Sequence, residues 1–143
     1  MNETQFWNII GLLNWRYEKK SYDKVIKPVI KKLAKLDDKD IFEFHNILAQ
    51  LLYDLDSKAI FKNNDFDSGD NFLYSRCAAV VNGKEFYDNI KYEKAELDPC
   101  LEFEPILYVA QYAWEKKHKK SADDYPHIPN VSYETGSNKK LWQ

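Results

Sequence analysis

The sequence predicts an all-α fold of six or seven short helices. Apolar residues recur at three- and four-residue spacing along most of the chain, no stretch alternates with period two long enough for a strand, and Ser, Asp, Asn or Gly punctuates the runs. At 143 residues the chain has the length of one ordinary domain. Such a domain buries roughly 70% of the surface its unfolded form exposes, so neither a metal nor a disulfide is needed to hold a core.

The elements follow in order. Thr4 is placed to cap a first helix carrying Phe6, Trp7, Ile10 and Leu13, with Trp15 and Tyr17 in its exit. After a KKS break, Ser21 or Asp23 opens a second helix with Val25, Ile26, Val29, Ile30, Leu33 and Leu36 on one face and lysines on the other. Pro28 inside that pattern predicts either a kink or a helix that starts near Lys27 with the proline in its first turn. Asp37 or Asp38 then caps a third and central helix with Ile41, Phe44, His45, Leu48, Leu51, Leu52 and Leu55 at core spacing.

Ala59, Ile60 and Phe61 read as a short apolar turn into the polar loop NNDFDSGD. Asp70 or Ser68 caps a helix through Val81, and Asn82-Gly83 matches a left-handed termination. Glu85, Phe86, Tyr87 and Ile90 predict one more short helix, and an acidic linker from Glu93 to Glu104 leads to a last helix from Pro105 to Lys120. Residues 1–120 thus form the helical domain. Residues 121–143 hold two prolines, a glycine and no helical period, which predicts an irregular tail lying over the domain through Tyr125, Ile128 and Val131 or staying partly mobile.

The net charge of −2 conceals a division. From Arg16 to Lys39 nine cations face four acids, whereas from Asn63 to Glu115 four cations face eleven acids, a local balance of −7. A negative field of that kind disfavours phosphate backbones and favours a basic partner surface, although it also describes a solvated face that keeps a small protein soluble. The KKHKK run from Lys116 to Lys120 has no interleaved aromatics and reads as cations at a helix C-terminus, so nucleic acid is not the expected partner. The N-terminal MNETQFWNIIGLLNW has no basic region and its apolar residues are interrupted, so no signal peptide or membrane span is expected. Cys77 and Cys100 lack zinc or disulfide patterning and read as reduced thiols of a cytoplasmic protein.

Catalytic chemistry finds little support in the residues. Asp65, Asp67 and Asp70 invite a calcium reading, but counting from Asp65 the sixth position is Asp70 and the twelfth is Arg76, where a calcium loop needs Gly and Glu. The three histidines show no HExxH or other ligand spacing, and His45 falls on an apolar stripe. Cys77 follows Arg76 yet precedes Ala78, Ala79, Val80 and Val81, the setting of a buried and inert thiol. Glu102 and Glu104 precede Pro105 as acids that match a helix dipole. No cofactor is expected.

Arg76 stands apart as one of only two arginines in a chain whose other strong cations are lysines. Its planar five-donor fork suits either an internal clamp, with Asp70, Asp56 or Glu104 as partner, or a groove beside Tyr74 and Asp70 that grips a carboxylate or phosphate.

The order FWNII, IFEFHNILAQLLYDL, SGDNFLYSRCAAVVNGKEFY and EPILYVAQYAWEKK resembles the family catalogued as domain of unknown function 4240. The resemblance covers roughly Glu3 to Lys117 and is most specific over D-x-F-x-Y-x-R followed by G-x-x-x-Y. It marks Asp70, Phe72, Tyr74, Arg76, Gly83 and Tyr87, with Trp7 and Glu104 as weaker matches. The family's aromatic and Gly-Gly-Cys lead-in is replaced here by KAIFKNNDFDSG. The resemblance implies a helical fold and no assigned reaction.

Two functional expectations follow. One is a non-catalytic interaction protein that binds and masks a basic partner, most concretely a bacterial immunity protein neutralising a nuclease-type toxin. Its partner-binding residues are Asp65, Asp67, Asp70, Tyr74, Arg76, Tyr87, Glu102 and Glu104, because aromatic anchors among carboxylates suit a cationic surface. The other is a small-ligand or enzymatic domain using an Asp/Tyr/Arg pocket of Asp70, Tyr74, Arg76 and Glu104.

Overall fold

The computed structural model describes Met1–Gln143 and contains only helices. These are α1 (Glu3–Ile10), α2 (Tyr22–Ala34), α3 (Asp38–Asp54), α4 (Lys58–Asn63), α5 (Gly69–Val81), α6 (Lys84–Tyr92) and α7 (Val109–His118). Three 3₁₀ turns, Trp15–Tyr17, Glu104–Tyr108 and Ala122–Asp124, join or extend them. No helix is long and apolar enough to cross a membrane.

Most boundaries have a local cause. Asn2, not Thr4, caps α1, its side chain accepting from the Gln5 amide while the Gln5 side chain accepts from the Asn2 amide. Ser21 caps α2, so the helix starts at Tyr22 and Pro28 sits inside it rather than in its first turn. Ser68, not Asp70, caps α5 by accepting from the Asn71 amide, which leaves Asp70 as an acid of the first turn. Gly83 has φ +100, a conformation that lets one residue end α5 and open α6. The apolar turn expected at Ala59 to Phe61 is the one-and-a-half-turn helix α4, capped by Ser57. The last helix begins as a 3₁₀ turn at Glu104 and becomes α-helical only at Val109, ending at Lys119 in the left-handed conformation.

Contacts group the residues into two compact units, 1–47 with 105–129 and 48–104 with 130–143. In the first, α2 packs against α7, and Phe6, Val25, Val29, Leu33, Ile41 and Phe44 are fully buried. Phe6 meets Phe44 with ring centroids 4.7 Å apart. Tyr125 also docks in this unit against Phe42, His45 and Trp114, whereas Ile128 is 85% exposed.

In the second unit α5 packs against α6, and every α5 residue from Phe72 to Val81 except Tyr74 is buried. A helix apolar on all sides has no solvent stripe, so its polar members Ser75 and Arg76 must sit inside. Phe61, Phe66, Phe72 and Trp142 form an aromatic group in this unit, with Phe66 and Phe72 centroids 4.9 Å apart.

Candidate functional site

Arg76 is completely buried, because it lies in the middle of α5 with apolar neighbours before and after it. One terminal nitrogen donates to the Leu52 carbonyl at 2.8 Å and the other to Thr135 Oγ1 at 3.1 Å. Thr135 Oγ1 in turn donates to the Gly69 carbonyl at 2.7 Å. The guanidinium lies 4.5 Å from the centroid of the Phe72 ring, one turn earlier on the same helix, and its Nε has no hydrogen-bond partner. Burial pulls the Arg76 pKa down, and the nearby charge of Asp56 is the first influence opposing it.

Asp56 is likewise fully buried, just past the end of α3. Its carboxylate accepts from the Gly136 amide at 3.0 Å, the Asn138 amide at 3.0 Å and the Trp142 indole at 2.7 Å. Asn138 Nδ2 also donates to the Tyr53 carbonyl, and the Lys58 amide donates to the Leu141 carbonyl. Arg76 and Asp56 therefore hold the segment 135–142 from two sides. Of the three clamp partners expected for Arg76, it is Asp56 whose charge acts on it, and the bonds themselves go to a carbonyl and a hydroxyl.

Two residues expected on a partner-facing surface lie inside instead. Arg76 is 0% exposed and Tyr87 is 1% exposed, the latter because its hydroxyl donates to the Leu51 carbonyl at 2.6 Å. Tyr74 and Glu104 are half-buried, and the Tyr74 carbonyl accepts from the Phe103 amide. The remaining four, Asp65, Asp67, Asp70 and Glu102, are exposed.

Asn71 brings these acidic segments together. Its Oδ1 accepts from the Asp67 amide, while Nδ2 donates to Glu102 Oε2 at 3.0 Å and to the Pro99 carbonyl at 2.9 Å. The loop before α5 and the turn at 98–102 are thereby tied to one side chain. Asp65 adopts φ 53 in that loop. None of Asp65, Asp67, Asp70 and Glu102 takes part in an ion pair. The half-exposed Leu101 lies beside Glu102 in sequence.

Groups able to do chemistry are dispersed. Cys77 is buried in α5, and burial raises its thiol pKa far enough to keep it protonated. His45 is buried with Nδ1 3.1 Å from the Tyr125 hydroxyl, and burial, reinforced by the charge of His127, lowers its pKa to about 4. His118 and Lys117, near the end of α7, both reach Asp38 in the first turn of α3 at 2.8 Å, and the Lys117 bond lowers the Asp38 pKa most. No group of three His, Cys, Asp or Glu side chains is arranged to hold a metal ion.

Sequence pattern marks Asp56 only as a possible partner of Arg76, and Gly136, Asn138 and Trp142 only as part of the tail. Two of the three donors are backbone amides, which leave no mark on composition; the Trp142 indole alone offered a signal.

A family model described as "Protein of unknown function (DUF4240)" matches residues 1–116, a span that includes Asp56, Arg76 and the acidic segments and stops before the clamped segment 135–142. No curated protein and no solved structure matches the chain.

Proposed function

The chain belongs to the DUF4240 family, and from that premise we propose that it is a non-catalytic binding protein whose face of Asp65, Asp67, Asp70 and Glu102 docks a basic protein. The observation that carries this reading is that four exposed carboxylates, on two segments that Asn71 ties together, take part in no ion pair. Uncompensated charge on a rigid support raises the rate of encounter with an oppositely charged surface and selects against acidic ones. Phe66, between Asp65 and Asp67, and Tyr74 on α5 are half-buried aromatics close to this set in sequence.

The concrete form of the proposal is a bacterial immunity protein acting in the cytoplasm, which covers the cationic active site of a nuclease-type toxin. The ligand-pocket alternative needs an accessible Arg76, and that guanidinium is enclosed with two of its nitrogens engaged.

Co-expression with any nuclease-type toxin domain encoded beside its own gene tests the proposal. The native chain is expected to restore growth and to bind the nuclease with affinity that falls steeply with salt. The variant Asp65→Asn, Asp67→Asn, Asp70→Asn, Glu102→Gln is expected to remain folded and lose protection. Equal protection by that variant, or binding insensitive to salt, overturns the reading.

A further inference from the structure

The second unit contains an open groove of about 890 Å³, within the range of about 300–1,000 Å³ usual for small-ligand sites. It shares no residue with the acidic face and was not anticipated from the sequence. Its walls come from the end of α3, from α4, from the end of α6 and from the clamped C-terminal segment. Leu55, Ile60, Ile90, Tyr92 and Leu141 give it an apolar lining, and Tyr92 and Leu141 are 64% and 42% exposed at its edge.

The charged residues of the groove are not balanced. Lys91 is committed to Asp54 at 3.3 Å, which neutralises one acid and one cation. Lys94 and Lys140 are exposed and take part in no ion pair, and Glu96 is the one acid left to oppose them. Lys94 also has φ +58, a left-handed conformation that non-glycine residues rarely adopt. The turn is fixed there because the Glu93 and Ala95 amides both donate to the Asn89 carbonyl, at 3.1 and 3.0 Å. Residues held in such conformations concentrate at ligand clamps.

We infer that this groove binds a small amphipathic carboxylate, its alkyl or aryl body against the apolar lining and its carboxylate between Lys94 and Lys140. A neutral apolar molecule gains the lining alone. A cationic amphiphile meets two ammonium groups against the single carboxylate of Glu96, and a fully polar anion forgoes the apolar contact. An apolar lining together with two lysines selects the molecule that carries both features.

The test uses the full chain and three probes that share a ten-carbon chain: decanoate, decan-1-ol and decyltrimethylammonium. Binding is followed by calorimetry and by methyl NMR shifts of Ile60, Ile90 and Leu141. Decanoate is expected to bind saturably at one site with shifts at these methyls, and the other two probes at least tenfold more weakly. Lys94→Glu with Lys140→Glu is expected to weaken decanoate tenfold or more, Lys94→Gln with Lys140→Gln to do so by a smaller factor, and Lys19→Glu with Lys20→Glu to leave it unchanged. Both groove lysines are exposed and free of ion pairs, so circular dichroism of these variants should match the native chain. Equal affinity for decanol, indifference to the Lys94 and Lys140 charges, shifts at other methyls, or absence of saturable binding would overturn the inference, and each leaves the acidic-face proposal standing.

Discussion

Replacing Asp56 by Ala removes the acceptor of three hydrogen bonds and the negative charge that acts most strongly on a buried guanidinium. Hydrogen bonds to charged groups contribute about 1.5–3 kcal/mol each, which sets a ceiling, since water enters as the segment 135–142 loosens. Asp56 and Arg76 act on each other through the field and form no ion pair, so the roughly 3–5 kcal/mol typical of breaking a buried charge pair is an upper bound here. The expected loss for Asp56→Ala is therefore about 4 kcal/mol, a quarter or more of the roughly 5–15 kcal/mol that holds an ordinary domain together. Urea unfolding followed by far-UV circular dichroism measures it, and amide hydrogen exchange at Gly136 and Asn138 localises it.

A double-mutant cycle with Arg76→Met separates the clamp from simple loss of packing. Met fills much of the volume of Arg without its charge, so Asp56→Ala combined with Arg76→Met no longer strands a buried cation. The pair should lose about 1–3 kcal/mol less than the sum of the single variants. A loss under about 1 kcal/mol for Asp56→Ala with Gly136 and Asn138 still protected would refute the clamp, because segment 135–142 would then be held by something else. Strict additivity in the cycle would refute the electrostatic part alone.

Two further outcomes follow from the same structure. His45 has a folded pKa of about 4 against 6.5 in the open chain, so the unfolded state binds more protons between those values. Its contribution is complete above pH 6.5 and is lost as pH falls toward 4, a loss of about 3 kcal/mol at most, with the lowered His127 pKa acting in the same sense; His45→Gln should flatten that part of the stability profile measured by urea titration. Gly83 has φ +100 and no atom within 4 Å of a built Cβ, so Gly83→Ala should destabilise through backbone strain alone, by about 1–2 kcal/mol in the same assay; an unchanged midpoint would show that the junction of α5 and α6 shifts to accommodate it.

The sequence reveals those parts of the fold that rest on local chemistry. Ser21, Ser57 and Ser68 carry N-cap chemistry wherever they stand, and Asn82-Gly83 carries a left-handed stop, so α2, α5 and α6 are legible at their ends. Thr4 and Asn2 are both competent caps, and only the reciprocal bond with Gln5 decides between them. Pro28 misleads because the loss of one helical bond is outweighed by burying Val25, Ile26 and Val29 ahead of and beside it. At six residues α4 is too short to show a period. The position of Arg76 was undecidable from composition, since a helix with apolar residues on every side presents the same pattern whether an arginine ends in a groove or in the core.

Enclosing Arg76 has an electrostatic consequence for the acidic face. The unit formed by 48–104 and 130–143 carries 8 cations and 13 acids, a balance of −5, while the other unit carries 13 cations and 10 acids, a balance of +3. Within the negative unit the acids are not equivalent. Asp54 and Asp88 are paired with Lys91 and Lys84, and Asp56 is turned inward with its charge set against Arg76. An arginine six residues after Asp70 on an exposed helix face would lie close enough to offset part of the charge of the loop before α5. Held inside by Leu52, Thr135 and the field of Asp56, it contributes little to the surface there, and Asp65, Asp67, Asp70 and Glu102 keep an unopposed negative field. The arginine that sequence pattern placed among the exposed acids thus lies in the core and adds no exposed cation to them.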